Sequence, residues 1–124
     1  MQQRNWWLKK ALVLLLCVMF LANPIFAAST VTPADKMGEE WWANRHASIL
    51  ERVKEGNVDL ILLGDSINHG WENDGKEVFE KYYGRRNAVN MGFGGDRTEH
   101  VLWRLDNGEV DGISPKVVSL MIGT

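Results

Sequence analysis

The apolar and polar positions divide the chain into alternating strand-like and helix-like segments. The run Val58–Leu63 is apolar at five of its six positions without alternation, which is typical of a strand buried on both faces of a parallel sheet. A second run, Val117–Ile122, is apolar at every position but Ser119 and predicts another such strand. The segment Asn87–Met91 predicts a short strand between them in the chain. The pattern therefore predicts three strands.

Helical periodicity fills the intervals around these strands. An apolar stripe with polar residues opposite it predicts a first helix over Glu39–Glu55, which Gly56 caps, and the next helix is predicted over Lys76–Tyr83. A third helix is expected to be capped by Asp96 or Thr98, to bury Val101, Leu102 and Leu105, and to end at Asn107-Gly108. Strands that alternate with helical crossovers predict an α/β fold with a parallel sheet covered by helices.

The amino terminus has the three-part layout of a secretory signal peptide. Basic residues precede an apolar run of about a dozen residues, and small residues follow it at Ala27, Ala28 and Ser29. The run is shorter than the roughly 20 residues that a membrane-spanning helix needs, although an uncleaved anchor is the alternative interpretation. We expect residues 1–28 to be a signal peptide, residues 29–36 a linker, and residues 37–124 the folded domain of an exported (periplasmic or extracellular) protein.

Composition narrows the classes of partner. Cys17 is the only cysteine and falls within the predicted signal peptide, so no disulfide is expected in the mature chain. Residues 29–124 hold 11 basic and 16 acidic residues, a net charge of about −5, which does not favour nucleic acid. The three histidines are scattered, so we expect no metal site, and no motif calls for a cofactor.

The first apolar run ends at Gly64-Asp65-Ser66. This tripeptide is compatible with a simple helix cap, but it also leaves the Ser66 hydroxyl at the carboxyl end of a strand, where open α/β sheets bind ligands. A serine held there is a candidate nucleophile for ester hydrolysis, which also requires a base, a group that orients the base, and N–H donors for the oxyanion.

Three ordered blocks carry a resemblance to a known family. They are Gly64-Asp65-Ser66-Ile67-Asn68-His69-Gly70-Trp71, the stretch from Asn90 to Leu105 that contains Gly92-Phe93-Gly94-Gly95-Asp96, and Pro115-Lys116-Val117-Val118 running into Ile122-Gly123-Thr124. In these blocks the chain resembles the SGNH (GDSL-type) hydrolases, most closely the branch similar to platelet-activating-factor acetylhydrolase catalytic subunits. The resemblance covers Met37 to Thr124, about the first half of that family's domain.

The resemblance implies a flavodoxin-like SGNH hydrolase fold, a three-layer αβα sandwich with a parallel sheet, here truncated after the third strand. It also implies a secreted, lipase-like serine esterase that removes acetyl or short acyl groups from a lipid or carbohydrate ester. Ser66 matches the family's nucleophile, whose backbone N–H is an oxyanion donor, and Gly95 matches the second donor. The lack of a Cβ at Gly95 leaves its N–H open to substrate.

Other family features have no counterpart in this sequence. The third oxyanion donor, an Asn after Gly123-Thr124, and the catalytic Asp-x-x-His pair are absent from the chain. His69 is expected to face solvent, and His100 is expected to cap or pack, so neither is assigned to a triad. His46 is expected at the surface or its boundary. These interpretations predict a catalytically incomplete fragment.

Alternatives from other classes remain for comparison. The glycines near Gly94 do not have G-x-G-x-x-G spacing, which argues against a nucleotide site. A noncatalytic, exported carbohydrate-binding module would use tryptophans as stacking platforms, although Trp41 and Trp42 are expected mainly to pack the first helix on the sheet. The other tryptophans available to such a module are Trp71 and Trp103. The third strand is expected to present an apolar edge that is open to self-association.

Overall fold

The computed structural model describes residues 29–123, which contain three parallel strands, four α-helices, short 3-10 helices over Ser29–Val31 and Gly70–Glu72, and a π-helical turn over Leu105–Glu109. The predicted signal peptide (residues 1–28) and Thr124 lie outside the described residues. In chain order the elements are α1 (Glu40–Lys54), β1 (Leu60–Gly64), α2 (Ser66–His69), α3 (Lys76–Tyr83), β2 (Ala88–Gly92), α4 (Thr98–Arg104) and β3 (Val117–Met121). No helix within residues 29–123 is long and apolar enough to cross a membrane.

The strands form one sheet in the order β2-β1-β3, with β1 parallel to both neighbours. Gly64 at the end of β1 lies opposite Gly92 of β2 and Met121 of β3. The three carboxyl ends therefore meet at one edge of the sheet. The predicted α/β fold with a parallel sheet is confirmed, and the helices predicted over Glu39–Glu55 and Lys76–Tyr83 lie within one residue of their observed bounds. α4 ends at Arg104, before the predicted end at Asn107-Gly108, and continues into a π-helical turn over Leu105–Glu109. The short helix α2 was not predicted.

The hydrophobic core lies on the face of the sheet that α1 and α4 cover. Alternate residues of β1 and β2 point into it, and α1 contributes an apolar stripe in which the indole of Trp42 is fully buried. Burying one such large apolar side chain contributes about 1.5–3 kcal/mol to folding. The core residues are Trp42, Ile49, Val53, Val58, Ile61, Leu63, Val89, Met91, Phe93 and Val101.

The third strand is exposed along its whole length. All five residues of β3 are exposed, and its four large apolar side chains keep between 43 and 60% of their surface open to solvent. Open cavities of about 490 and 440 Å³ run along β3 beside Leu62 and Tyr83. The predicted apolar edge is therefore present in the described residues.

Two side chains in the helices differ from expectation. His46 is buried, because it lies four residues after Trp42 and three before Ile49, on the same stripe of α1. Leu102 is 37% exposed, because one residue along a helix from the buried Val101 turns the side chain about 100° away. Both predictions were wrong.

The start of α4 also differs from the predicted cap. The amino-terminal capping position is Arg97, whose backbone N–H donates to Nδ1 of His100 at 2.8 Å. The carboxylate of Asp96, one of the two expected caps, is instead buried in the core. The prediction that His100 caps or packs is confirmed.

Candidate active site

Ser66 is the first residue of α2 and is separated from the end of β1 by Asp65 alone. The buried side chain of Asp65 accepts a hydrogen bond from the N–H of Ile67 at 3.1 Å, so Asp65 does cap this short helix. Ser66 itself is exposed, and neither its hydroxyl nor its N–H is hydrogen-bonded to another residue within 29–123. The backbone of Ser66 is therefore fixed between β1 and the capped start of α2, while its side chain stays exposed to solvent.

Two glycines allow α2 to lie close to the ends of the strands. A Cβ on Gly64 would stand 1.9 Å from the carbonyl oxygen of Met121, and a Cβ on Gly92 would stand 2.2 Å from the backbone nitrogen of His69. Real atoms do not approach so closely, so both positions require glycine. The result is direct contact of α2 with the carboxyl edge of the sheet.

Two buried asparagines tie α2 to the strands. The Asn68 side-chain amide donates to the carbonyl of Leu63 at 2.8 Å, and that of Asn90 donates to the carbonyl of Asn68 at 2.8 Å. The Asn90 side-chain oxygen then accepts from the N–H of Gly92 at 2.9 Å. Neither asparagine was predicted as a site residue, because an Asn near a turn is ordinary in a sequence.

Gly95 lies in the loop that follows β2, at the same edge of the sheet as Ser66. The loop is joined to β1 through the Phe93 N–H, which donates to the carbonyl of Gly64 at 3.1 Å. Gly95 has a φ of 70°, which favours glycine, and its carbonyl accepts from Nζ of Lys36 at 2.9 Å. Among the described residues, none accepts a hydrogen bond from its N–H. That donor is open.

His69 joins α2 to this loop. Its Nδ1 accepts a hydrogen bond from the N–H of Gly94 at 3.2 Å, and its ring stacks on Trp41, with centroids 6.2 Å apart and planes 11° apart. Burial lowers the pKa of His69 below its ordinary 6.5, the charge of Arg45 lowers it further, and Glu72 opposes both. The expected solvent-facing position was wrong, because the ring lies half-buried between α1 and the loop.

A chain of buried charged groups lies under the site. Asp96 accepts from Trp42 Nε1 at 2.8 Å and from Arg104 Nε at 2.9 Å. Arg104 also donates to Glu109 at 2.6 Å, and the other Glu109 oxygen lies 2.8 Å from Nδ1 of His46. Burial raises the pKa of Asp96 above its ordinary 3.8, although the Trp42 and Arg104 hydrogen bonds and nearby positive charges act in the opposite direction.

Arg104 connects this chain of charges to the strand ends. Its guanidinium donates to the carbonyls of Gly64 and Met91, each at 3.3 Å, and lies 3.9 Å from the ring centre of Phe93. The sequence contains one signal for this residue, since Arg104 follows Val101 by three positions and so shares the buried side of α4. Arg104 was not predicted as a core residue, because an arginine at the end of a helix is usually exposed.

All three histidines of the described residues already have partners. The Nδ1 atoms of His46, His69 and His100 contact Glu109, Gly94 N–H and Arg97 N–H respectively. No group of three or more His, Cys, Asp or Glu side chains within 29–123 is arranged to hold a metal ion. The described site therefore offers a serine and open N–H donors.

Comparison with known proteins shows a sequence relationship between this chain and acetylhydrolase subunits. No protein-family model matches the chain. It is 35% identical over 103 residues to "Platelet-activating factor acetylhydrolase IB subunit alpha2" of Rattus norvegicus and of Homo sapiens, covering 83% of this chain and 43% of each relative. It is 36% identical over 98 residues to subunit alpha1 of Mus musculus, covering 78% of this chain and 41% of that one.

The chain thus spans less than half the length of the curated relatives that it matches. The aligned part has the α/β architecture described above, with Ser66 and Gly95 at one edge of its parallel sheet. The chain is therefore related in sequence to platelet-activating factor acetylhydrolase IB subunits.

Proposed function

We propose that this chain is the nucleophile-bearing part of an exported serine esterase of the SGNH (GDSL) type, which removes acetyl or short acyl groups from a lipid or carbohydrate ester. The proposal rests on one observation: the exposed Ser66 and the Gly95 N–H, which has no acceptor among the described residues, lie at the same edge of the sheet. The names of the relatives support an acetyl ester as substrate. The signal-like residues 1–28 support export.

The proposed reaction assigns a task to each group. The Ser66 oxygen attacks the ester carbonyl while a base takes its proton, and the alcohol leaves with a proton as the acyl group is transferred to the serine. Water then releases the carboxylic acid and restores the serine. The N–H groups of Ser66 and Gly95 stabilise the oxyanion in both steps, and one such donor contributes about 2.7–4 kcal/mol to the transition state.

The base is expected outside the residues described here. A neutral imidazole has one acceptor nitrogen, and His69 already uses its acceptor for the N–H of Gly94. His46 is buried against Glu109, and His100 accepts the Arg97 N–H. We therefore expect residues 29–124 alone to show at most the residual catalysis of a triad-deficient serine hydrolase, about 10³–10⁴-fold over water.

Covalent labelling tests the proposal. The polypeptide encoded by the complete reading frame is treated with a fluorophosphonate probe, and the modified residue is mapped by mass spectrometry. We expect one adduct at Ser66, together with faster hydrolysis of an acetyl ester than of a long-chain ester, and loss of both in Ser66→Ala. Ser48→Ala is the matched control, because Ser48 is an exposed serine whose hydroxyl bonds only within α1 among the described residues. Labelling of another serine, or no labelling, contradicts the proposal.

The binding-module alternative has less support from the tryptophans. A stacking platform must be open to solvent, but Trp42 is fully buried and donates to Asp96, as expected for a packing residue. Trp71 and Trp103 are only partly exposed, and Trp41 is the one exposed indole among the four that the alternative requires. Unchanged polysaccharide binding in Ser66→Ala, without any labelling of the wild-type protein, would favour that alternative.

A further inference from the structure

The loop that carries Gly95 is held at two points on either side of its open N–H. On one side the Gly94 N–H donates to Nδ1 of His69, and on the other the Gly95 carbonyl accepts from Nζ of Lys36. Between them, Gly95 has a φ of 70°. An extra side chain at Gly95 would meet nothing closer than Lys36 at 3.5 Å, so space alone does not set the conformation of this loop. Three hydrogen bonds hold the loop around Gly95: the two just described and the turn bond from the Asp96 N–H to the Phe93 carbonyl at 3.2 Å. Of these, only the bond to His69 comes from α2.

We propose that His69 is a positioning residue, which holds the Gly94-Gly95 loop so that the Gly95 N–H stays directed at the oxyanion that forms at Ser66. His69 is well placed for this task because it lies three residues after Ser66 on α2. The hydrogen bond to Gly94 therefore links the element that bears the nucleophile directly to the element that bears the donor. This inference rests on the proposed function of Ser66 and Gly95.

The chemistry of the ring fits a fixed acceptor. Nδ1 accepts the Gly94 N–H only while the imidazole is neutral, and the stack on Trp41 keeps the ring plane in place. The charged groups around the ring are Arg45 of α1 and Glu72 of the turn after α2, which are themselves paired at 2.6 Å, and Lys36 reaches the loop from its other side. Burial and Arg45 favour the neutral ring, so the hydrogen bond is present at neutral pH and is lost when the ring is protonated in acid.

Two substitutions separate the acceptor from the packing of the ring. His69→Phe keeps an aromatic ring against Trp41 but has no acceptor, whereas the side-chain oxygen of His69→Asn can occupy the position of Nδ1. The proteins are produced from the complete reading frame, and circular dichroism and thermal unfolding establish that both variants are folded. A purely structural role would make both variants equivalent, and a positioning role would not.

The first readout is the amide proton of Gly94 in the ¹⁵N-labelled protein. In the wild type its resonance is expected to move upfield as the pH falls through the pKa of His69, below 6.5. In His69→Phe it should be upfield at every pH, and in His69→Asn it should stay downfield without that titration. A Gly94 amide that responds neither to pH nor to His69→Phe overturns the inference, whatever the function of Ser66.

The second readout is the first-order rate of Ser66 labelling at saturating fluorophosphonate. Losing an oxyanion donor entirely costs about 10²–10³-fold, so misplacing it in His69→Phe is expected to lower this rate by about 10–100-fold, with little change in the half-saturating probe concentration. His69→Asn should recover most of the rate. Equal rates in all three proteins overturn the inference, whereas an unlabelled wild type refutes the proposed function and leaves the Gly94 amide to decide the role of His69.

Discussion

Replacing Arg104 with methionine would remove the cation that lies between two buried carboxylates. The guanidinium is fully buried and forms ion pairs with Asp96 at 2.9 Å and with Glu109 at 2.6 Å. It also donates to the strand-end carbonyls of Gly64 and Met91. Methionine retains much of the volume but none of the charge or the donors, so two carboxylates and two carbonyls in the core would each lose one donor. Asp96 would keep only the Trp42 Nε1–H as a buried hydrogen-bond donor, and Glu109 would keep its contact with His46.

The loss in the free energy of unfolding follows from the burial of Arg104. Removing one partner of a buried ion pair destabilises a protein by about 3–5 kcal/mol, because the remaining charge is left uncompensated. An exposed pair contributes only about 0–1 kcal/mol. Since domains are stable by about 5–15 kcal/mol in total, Arg104→Met should lose a large fraction of its stability. At an m-value of about 2 kcal/mol/M, the urea midpoint should fall by roughly 2 M.

The assay is urea unfolding followed by tryptophan fluorescence, since Trp42 lies in the core beside Asp96. Arg52→Met is the matched control, because Arg52 also lies in the last turn of a helix but is partly exposed and pairs with Glu55 at 3.8 Å. The control should lose less than about 1 kcal/mol. The double variant Arg104→Met/Glu109→Gln should recover part of the loss, because it removes one uncompensated carboxylate.

The pH dependence gives a second check on the same substitution. Burial raises the pKa of Asp96 above 3.8, so its contribution to stability is fully present below 3.8 and is lost as the pH rises through the raised value. Without Arg104 the charged form is disfavoured further, so the cost of Arg104→Met should be smaller in mild acid than at pH 8. A cost below about 1 kcal/mol at pH 8, or one that does not depend on pH, would refute the reasoning.

Three further outcomes are expected from other parts of the structure. Gly92→Ala should destabilise the protein by about 1–3 kcal/mol in urea unfolding, because the new Cβ would clash with the backbone of His69. Gly38→Ala is the control and should change stability little, because the space around Gly38 is open. Equal losses of stability in the two variants would contradict the prediction. Because the pKa of His69 is lowered in the folded protein, its contribution to stability is fully present above pH 6.5 and is lost as the pH falls through the pKa of the folded state. The free energy of unfolding of His69→Asn should therefore depend less steeply on acid pH than that of the wild type. The same dependence in both proteins would contradict this prediction. Leu120→Lys should weaken self-association through the exposed edge of β3. Sedimentation velocity over a range of protein concentrations measures this association. A wild-type protein that stays monomeric at every concentration would refute it.

Periodicity predicted most of the fold because each element carries a local signal. The apolar run Val58–Leu63, interrupted only by Asp59, indicated a buried parallel strand, and the helix over Lys76–Tyr83 was predicted at its observed bounds. Glycine at a helix end was equally informative, since Gly56, which follows the capping residue Glu55 of α1, has a φ of 68°. Such signals need only neighbouring residues, so the sequence alone contains them.

The candidate site was predictable only in outline. Ser66 and Gly95 were proposed from motif blocks at the strand ends, and parallel pairing brings those ends to one edge of the sheet. Their catalytic roles stay predictions. The hydrogen bond between Gly94 and His69 was not predictable, because the two residues are 25 positions apart and nothing in either segment specifies the approach of the other.

The sequence by itself determined the order of strands and helices along the chain, the glycine positions and the likeness to acetylhydrolase subunits, because those properties depend on local pattern and residue type. Only the tertiary structure decided which polar side chains are buried together. His46 and Glu109 lie 63 residues apart and meet through the packing of α1 against the turn after α4. The charge of Arg104 is tolerated in the core because folding surrounds it with two carboxylates and two carbonyls, and that arrangement exists only once the elements have packed.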